Sequence, residues 1–499
     1  MSPWLRCKES DDVSLPEKLA LTSLQVISTS EPLINDPSLP DPLPSLAAGL
    51  PHFASGYMRN WGRDTFIALS GLCLVTGRYQ EAKSLILGYA RTLRHGLIPN
   101  LMSGGEGARY NARDATWFFL NSIINYVEQV PKGDSILKEK VPLIYSDDDA
   151  EPIVDSSQSR RILTLVDVIY EILARHAQGI HFRERNAGIK IDDRMQDEGF
   201  NIDIHLDLST GFLFGGNRFN AGQWNDKMGS SAQSGNRGWP ATPRDGACIE
   251  CTVLLAKSLR FVIELSGKGR MRQGVKLSDG RFLTFIDWLE TIKRTFEQKF
   301  WIPLDSKDDD SHEVDPKIVN RRGIYRDVVG PYHVWTSYQL RGNASVAIAM
   351  CPWLFNDDHA RHHLKISSEV LLKPAMPGLK TLDPTDFVHR NFYSAADSDD
   401  FYTAEGFCYH NGPAWLWISG YHCLALLLFD KDGTHGLKKI AEETFASLAS
   451  HVDENLYLGV AELLQGDGSF CEGSCATQAW SSAAFLEALD LQRRLSGGK

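Results

Sequence analysis

The chain has 499 residues, of which 43% are hydrophobic and 23% charged, as is typical of a globular protein with a sizeable core. The formal net charge of −11 excludes nucleic acid as an expected partner, because binding to phosphates depends on clustered lysine and arginine. Nine cysteines, an odd number, indicate a reducing compartment rather than a disulfide framework, so we expect a cytoplasmic location.

Residues 1–48 are rich in proline, serine and aspartate and show no sustained hydrophobic period. We interpret them as a lead-in or the remnant of a linker, followed by one domain over residues 49–499. The N-terminus lacks the apolar core of a signal peptide. The longest apolar run, 414–429, is interrupted by polar residues and is shorter than the roughly 20 residues of a membrane span. The sequence therefore predicts no membrane segment.

From about residue 50, apolar residues recur with the period of amphipathic helices. The pattern over 82–93 stops at Gly96 and is a clear example. Further helices are predicted over 61–76, 117–127, 162–173, 246–266, 282–299, 336–351, 360–371, 413–429, 436–451 and 477–492. Only 188–214, with "IKID" and "NIDIHLDL", indicates short extended segments. About eleven or twelve paired helices joined by long loops predict an all-α fold, an α/α toroid with a site built by loops at one rim.

Six segments between or at the start of these helices share one composition. Each combines an aromatic residue or glycine with carboxylate, amide or arginine groups, which suits the apolar faces and the hydroxyls of sugars. They are "MRNWGRDTF" (58–66), "ARYNARDATW" (108–117), "GGNRFNAGQWNDKMG" (215–229), "TPRDG" (242–246), "YHNGPAWLW" (409–417) and "GVAELLQGDG" (459–468). Taken singly they are weak signals, because a lone tryptophan is more often core and an Arg-Asp pair more often structural.

The order and wording of the segments are more specific. Over about residues 45–489 the chain resembles the C-terminal amylo-α-1,6-glucosidase half of eukaryotic glycogen debranching enzyme. Matched runs include "TLRHGLIPNL", "FRERNAG", "DEGFNI", "GGNRFN", "PATPRDG", "KTLDP" and "YHNGPAWLW". The resemblance implies an (α/α)6 toroid that releases the α-1,6-linked glucose at branch points of glycogen limit dextrin with inversion. We expect no cofactor, because "SGGEGARY" lacks the strand, lysine and serine or threonine of a phosphate-binding loop. A C-x-x-C pair, Cys248 and Cys251, lies inside a predicted helix without a second pair, so we expect no metal site.

The resemblance makes Asp226 the general acid, and the indole of Trp224 is then expected to exclude water and raise the pKa of Asp226. Without the resemblance, Asp226 is equally well a turn residue. Inversion also requires a base on the opposite face, about 6.5–9.5 Å from the acid. Glu462 matches the family's acidic residue near the C-terminus, although Ala461 stands where the family usually has proline. Glu472 is the alternative base.

Asp245 is a rival for the role of the acid. Thr242, Pro243 and Asp245 fit the N-cap, N1 and N3 positions of the next helix, where proline and an acidic residue are both favourable. We therefore interpret Asp245 as structural or as a support for the residues that contact the substrate.

The resemblance also implies a set of substrate-binding residues. Arg63 and Asp64 match the pair that holds the terminal glucose hydroxyls in related toroid glycosidases. For Asn111 and Asp114 a helix-capping role is the alternative, and for His410 a structural role is nearly as plausible. The full set is Trp61, Arg63, Asp64, Arg109, Tyr110, Asn111, Asp114, Trp224, His410, Trp415 and Trp417.

Nothing in the sequence resembles the large N-terminal transferase half of the family's enzyme. We therefore expect glycogen or a branched α-glucan as partner and a separate 4-α-glucanotransferase activity for full debranching. A fragment, a shortened isoform and a stand-alone glucosidase all fit this pattern. Two other functions stay open at this point: a non-catalytic glycan-binding or regulatory toroid, and a glucoamylase-type α-1,4-glucosidase.

Overall fold

The structure is a computed structural model that describes residues 13–34, 41–102, 108–153 and 160–497. Twelve α-helices lie within these ranges. They are α1 (Leu15–Val26), α2 (Gly62–Leu69), α3 (Tyr79–Ala90), α4 (Asp114–Gln129), α5 (Leu165–Gln178), α6 (Ile249–Gly267), α7 (Phe285–Phe300), α8 (Asn343–Met350), α9 (Asp357–Leu371), α10 (Leu416–Phe429), α11 (Leu437–Glu454) and α12 (Ala479–Leu495). Helix α2 continues directly into a π-helix, Ser70–Val75.

The twelve helices form two concentric rings. In the inner ring α2 packs on α4, α4 on α6, α6 on α8, α8 on α10, α10 on α12, and α12 packs back on α2. The odd-numbered helices surround this ring: α1 packs on α12, α3 on α4, α5 on α3, α7 on α6, α9 on α8 and α10, and α11 on α10. The predicted (α/α)6 toroid is confirmed.

Residue composition explains which helix lies in which ring. All eight residues of α8 are buried, as expected for an inner helix that is surrounded by protein. Outer helix α7 instead buries a stripe that includes Phe285, Trp288 and Phe296 and leaves charged residues in solvent. Among the described helices, none has the length and apolar character that crossing a membrane requires.

Two glycines allow α12 to lie close to its neighbours. A Cβ atom on Gly71 would lie 2.2 Å from the carbonyl oxygen of Ala483, and one on Gly420 would lie 2.7 Å from Ala484. Both spacings are too short for a side chain, so the ring closes around α12 only because these positions carry none.

The strands are short and join loops rather than form a layer. They are β1 (Ile27–Ser28), β2 (Ser45–Leu46), β3 (Gly49–Leu50), β4 (Lys140–Pro142), β5 (Ile162–Thr164), β6 (Ile180–Arg183), β7 (Asn201–Leu206), β8 (Leu213–Gly215), β9 (Ala247–Cys248), β10 (Gly274–Lys276), β11 (Phe282–Thr284), β12 (Trp301–Ile302), β13 (Ile324–Tyr325), β14 (Val328–Val329), β15 (Leu379–Lys380), β16 (Ala414–Trp415), β17 (Leu463–Leu464) and β18 (Thr477–Gln478). The antiparallel sheet β6–β7–β8 pairs Ile204 with Ile180 and Gly215. It confirms extended structure in the second half of 188–214.

The first half of that segment differs from the prediction. "IKID" (189–192) is a turn, in which the N–H of Ile191 donates to the carbonyl of Gly188 at 3.0 Å. Gly188 has a φ of 133°, a conformation that leads the chain out of an extended path. The helix predicted over 336–351 is also shorter, because Val334–Tyr338 is a separate 3₁₀ turn before α8.

The predicted lead-in requires a larger correction. Helix α1 lies within residues 1–48, buries Leu19, Ala20 and Val26 in the common core, and supplies the outer partner of α12. Without α1 the outer ring would have five helices, so this part of the chain belongs to the toroid. Residues 1–12 and 35–40 of the predicted lead-in lie outside the described residues.

Candidate active site

The N-terminal ends of the inner helices meet at one rim of the toroid. Arg63, in the first turn of α2, contacts Asp114, the first residue of α4. Gln478, the N-cap of α12, donates to Asp64 of α2 at 2.9 Å. Helix N-termini carry partial positive charge, so this rim is a favourable place to hold carboxylates.

A cavity of about 690 Å³ opens at this rim, a size typical of small-molecule sites. Four predicted site residues line it: Trp61, Arg109, Asn111 and Asp226. The rest of the wall comes from the loops before α2, α4, α6 and α10, and it includes Tyr57, Asn100, the segment 189–195, Asn220, Asn225, Lys227, Met228, Pro240 and Tyr409.

Asp226 presents its carboxyl to the cavity. Its side chain is 49% exposed, and its Oδ2 accepts a hydrogen bond from Arg63 at 3.2 Å. Enclosure by the surrounding protein raises the pKa of Asp226, which the charge of Arg63 partly counteracts. A carboxyl that retains a proton at higher pH than usual is suited to proton donation.

Arg63 fixes the position of Asp226 because it is itself held on its other side. Its Nε and one Nη donate to the two oxygens of Asp114 at 2.7 and 2.8 Å, and both side chains are buried. This bidentate pair leaves the remaining Nη directed at Asp226. Arg63 and Asp114 thus lie beside the carboxyl of Asp226, and Asp114 orients Arg63.

The backbone before Asp226 is anchored by a buried ionic network. Arg244 donates to both oxygens of Glu250 at 2.8 Å, contacts Asp327, and donates to Oδ1 of Asn225 at 3.0 Å. Asn343, at the start of α8, donates to the same Asn225 oxygen at 3.3 Å. The loop that carries Asp226 is thus fixed to two inner helices.

The network predicts a large loss of stability when its centre is removed. Arg244→Met should lower the free energy of unfolding by about 3–5 kcal/mol, because Glu250 and Asp327 would remain buried without their partner. Urea unfolding followed by circular dichroism measures the change. As a control, Arg161→Met removes a surface pair with Glu171 and should cost less than about 1 kcal/mol. Equal losses in the two variants would contradict this prediction.

Trp224, His410, Trp415 and Trp417 do not line the cavity, contrary to the prediction of direct sugar contacts. Their rings pack edge to face around Trp224, with centroids 5.0–5.2 Å apart, and all four are buried. The Nε1 of Trp224 donates to Asn343 at 2.8 Å. Trp224 therefore supports the loop of Asp226 from the core, and the predicted covering of the carboxyl by its indole is not observed.

Fewer residues of the segment 108–117, which leads into α4, line the cavity than predicted. The hydroxyl of Tyr110 donates to the carbonyl of Thr92 at 2.5 Å in the core, so Tyr110 does not line the cavity. Arg109 lines the cavity but is held by a bidentate pair with Glu184 at 2.7 and 2.8 Å. The predicted capping positions are also wrong, because α4 begins at Asp114 with Arg113 as its N-cap.

Glu462 is a further carboxyl at the same rim and, unlike Asp226, it is buried. Its Oε1 accepts a hydrogen bond from the hydroxyl of Tyr409, and its Oε2 accepts one from the backbone N–H of Cys475 at 3.0 Å. Burial raises the pKa of Glu462, and the two hydrogen bonds lower it. Because Tyr409 lines the cavity, Glu462 lies directly behind the cavity wall.

Asp64 lies in the electrostatic field of both carboxylates. The pKa of Asp64 is raised to about 7: burial is the largest cause, Arg63 and the hydrogen bond from Gln478 oppose it, and the charges of Glu462 and Asp226 add to it. The protonation of Asp64 therefore depends on the charge of the other two carboxyls.

The two rival carboxyls lie elsewhere. Glu472 is exposed and does not line the cavity. Asp245 accepts a hydrogen bond from the backbone N–H of Tyr332 at 2.9 Å. It does not cap a helix, because α6 begins only at Ile249, and the hydroxyl of Thr242 donates to Asn411 instead. Asp245 thus holds the backbone at Tyr332, and the predicted capping of the next helix is wrong.

Sequence reasoning missed Tyr409, Asn225 and Gln478. Each lies beside a residue or motif that had been identified, and Tyr409 opens the segment "YHNGPAWLW". Their signal was a polar group in a loop that leads into an inner helix: Asn225 before α6, Tyr409 before α10 and Gln478 at the N-cap of α12. The segment 189–195 was also missed, because it was interpreted as extended structure.

Comparison with known proteins gives the family of the chain. The family model described as amylo-alpha-1,6-glucosidase matches residues 21–487. The glycogen debranching enzyme of Saccharomyces cerevisiae is 44% identical over 487 residues, which cover 94% of this chain and 31% of the yeast protein. The chain thus spans about a third of the length of this relative.

Solved structures agree on the fold alone. An uncharacterized conserved protein from Thermus thermophilus is 12% identical with a TM-score of 0.50, covering 95% of this chain and 99% of its own. A variant of a protein described as a glycosidase is also 12% identical with a TM-score of 0.50, covering 97% of this chain and 98% of its own. Since the family model spans nearly the whole toroid, the chain belongs to the amylo-alpha-1,6-glucosidase family.

Proposed function

We propose that this chain hydrolyses the α-1,6-linked glucose at branch points of glycogen limit dextrin, with inversion. The main support for this proposal is a pair of carboxyls at one rim of the toroid. Asp226 faces the cavity beside Arg63, and Glu462 lies behind the cavity wall, where it accepts a hydrogen bond from Tyr409. Glycoside hydrolysis requires two carboxyls whose environments give them different protonation states, and the choice of inversion rests on the family resemblance.

In this mechanism Asp226 is protonated and Glu462 is ionised when the substrate binds. Asp226 gives its proton to the glycosidic oxygen as the bond from that oxygen to C1 of glucose breaks. Glu462 takes a proton from a water molecule, whose oxygen bonds to C1 from the opposite face. Glucose and the shortened glucan leave, and the proton on Glu462 returns to Asp226 through solvent.

The glucose ring is expected to bind between the cavity wall and the first turn of α2. Trp61 and Asn111 line the wall, and Arg63 and Asp64 supply charged groups for hydroxyls. Arg63 already bonds Asp114 and Asp226, so it holds the acid in place more than it contacts the sugar.

The test of this function uses two substrates. A 6-O-α-glucosyl branched oligosaccharide should release glucose, whereas maltopentaose should release little. Faster release from maltopentaose would favour a glucoamylase-type α-1,4-glucosidase, and binding without release from either would favour a glycan-binding or regulatory toroid. Full debranching of glycogen should additionally require a separate 4-α-glucanotransferase, and we propose the cytoplasm as the location.

Tyr409→Phe gives a pH-dependent prediction. The hydroxyl of Tyr409 lowers the pKa of Glu462, so its removal should raise that pKa. A base acts only when ionised, and activity should therefore be lost at a higher pH on the acidic side in the variant than in the wild type. Profiles of kcat/KM against pH on the branched oligosaccharide measure this shift. An unchanged acidic side would show that Tyr409 does not control the base.

A further inference from the structure

Outside the cavity, a continuous group of aromatic rings lies on the surface. Tyr332 and Phe387 are 59% and 63% exposed. His333 joins Tyr332 to Trp335, with ring centroids 4.9 and 6.0 Å apart, and Trp335 contacts Phe387 at 5.0 Å. Together with Trp239, these residues form what we call the aromatic platform. Grouped exposed rings on a globular protein usually mark a binding surface.

The platform contains polar groups that have lost water without gaining a partner. Arg218 lies over the rings of Trp239 and Tyr332 at 5.4 and 5.3 Å, and its buried Nε bonds to none of the described residues. Asp245 accepts the N–H of Tyr332 through Oδ2, while its buried Oδ1 has no partner in the described part of the chain. An unpaired donor and an unpaired acceptor both cost stability.

The platform is continuous with the cavity wall. Trp239 precedes Pro240 in the chain and contacts the ring of Phe219 at 5.3 Å, while Phe219 precedes Asn220. Pro240 and Asn220 both line the cavity. A ligand that leaves the cavity along this wall therefore meets the platform next.

These features fit one class of ligand. A pyranose ring has apolar C–H faces, which pack on aromatic rings, and hydroxyl groups that both donate and accept hydrogen bonds. A polymeric glucan that places one branch in the cavity must also continue outside it. We propose that the aromatic platform binds an α-glucan chain of the polymeric substrate. The choice of glucan rests on the proposed function.

The experiment separates the platform from the cavity. The double variant Trp335→Ala/Phe387→Ala should bind glycogen at least about tenfold more weakly in affinity gel electrophoresis, since two packed rings are removed. Its kcat/KM on the small branched oligosaccharide should match that of the wild type. The matched control is Trp353→Ala/Phe282→Ala, because Trp353 is similarly half-buried under Arg260 and Phe282 is 62% exposed. The control should bind glycogen normally.

Unchanged glycogen affinity in the double variant would overturn the proposal. Loss of binding to a separately produced 4-α-glucanotransferase, with glycogen affinity retained, would also overturn it and would identify a protein interface instead. Thermal unfolding of both double variants shows whether each is folded, and Arg218→Gln repeats the test without removing a ring. If the wild type binds glycogen but releases no glucose, the proposed function fails while the platform is still tested by affinity.

Discussion

Asp226→Asn should abolish glucose release from the branched oligosaccharide while binding is retained. The amide keeps the shape of the side chain but cannot give a proton to the glycosidic oxygen. A positioned proton donor contributes about 10²- to 10⁴-fold, so kcat should fall by at least this range. Glucose release measures kcat, and isothermal titration with the intact substrate measures binding to the variant.

The matched control is Asp245→Asn, which alters the rival carboxyl. Asp245 lies outside the cavity lining and holds the N–H of Tyr332, so its variant should keep more than about a tenth of wild-type kcat on the small substrate. Normal turnover in Asp226→Asn together with loss in Asp245→Asn would move the acid role to Asp245.

The ionic contacts of Asp226 also affect how this result is interpreted. Arg63 contacts Asp226 and lowers its pKa, although enclosure by the surrounding protein outweighs this effect. In the asparagine variant Arg63 keeps both bonds to Asp114, so the rim should stay intact. Loss of activity then reports on the missing proton rather than on a collapsed site. Equal unfolding free energies of variant and wild type would verify this.

Helical periodicity predicted eleven of the twelve helices, and the exception is instructive. Helix α1 begins after Ser14, which forms a capping box with Glu17, and Pro16 lies in its first turn. In this position proline favours a helix start, whereas we interpreted it as one of several breakers in a linker. The signal was present in the sequence, but the surrounding prolines obscured it.

The tryptophan residues show a limit of another kind. A tryptophan in a glycine-rich loop can face a sugar or the core, and the sequence does not specify the direction of the ring. Trp224 faces Asn343, which lies 119 positions away, and Trp415. Such long-range contacts are set by closure of the ring, and no local pattern encodes them.

Ion pairs across the rim were equally inaccessible from sequence. Arg63 is 51 positions from Asp114 and 163 from Asp226, and only the convergence of helix N-termini brings them together. The residue types at the rim were predictable, because sugar chemistry limits them. The sequence did not predict which carboxyl each arginine would contact.

Glu462→Gln should remove nearly all turnover, and the first product of the wild-type enzyme should be β-glucose. An amide cannot take a proton from the attacking water, so the loss should again reach about 10²-fold or more. Proton NMR of the wild-type reaction, recorded before mutarotation, identifies the anomer. Azide should restore part of the rate in Glu462→Gln, because it is an anion that attacks C1 without a base.

The matched control for this variant is Glu472→Gln, which alters an exposed carboxyl outside the cavity and should be fully active. In the wild type, burial raises the pKa of Glu462, and enclosure by the surrounding protein raises that of Asp226. The base must be ionised and the acid protonated, so activity should fall as pH drops through the pKa of Glu462 and as it rises through that of Asp226.

α-Glucose as the first product would mean retention, and the two carboxyls would then have to lie only about 5–5.5 Å apart. If Glu462→Gln were active and Glu472→Gln inactive, the base would be Glu472. Glu462, which bonds to Tyr409 and Cys475, would then have a structural role.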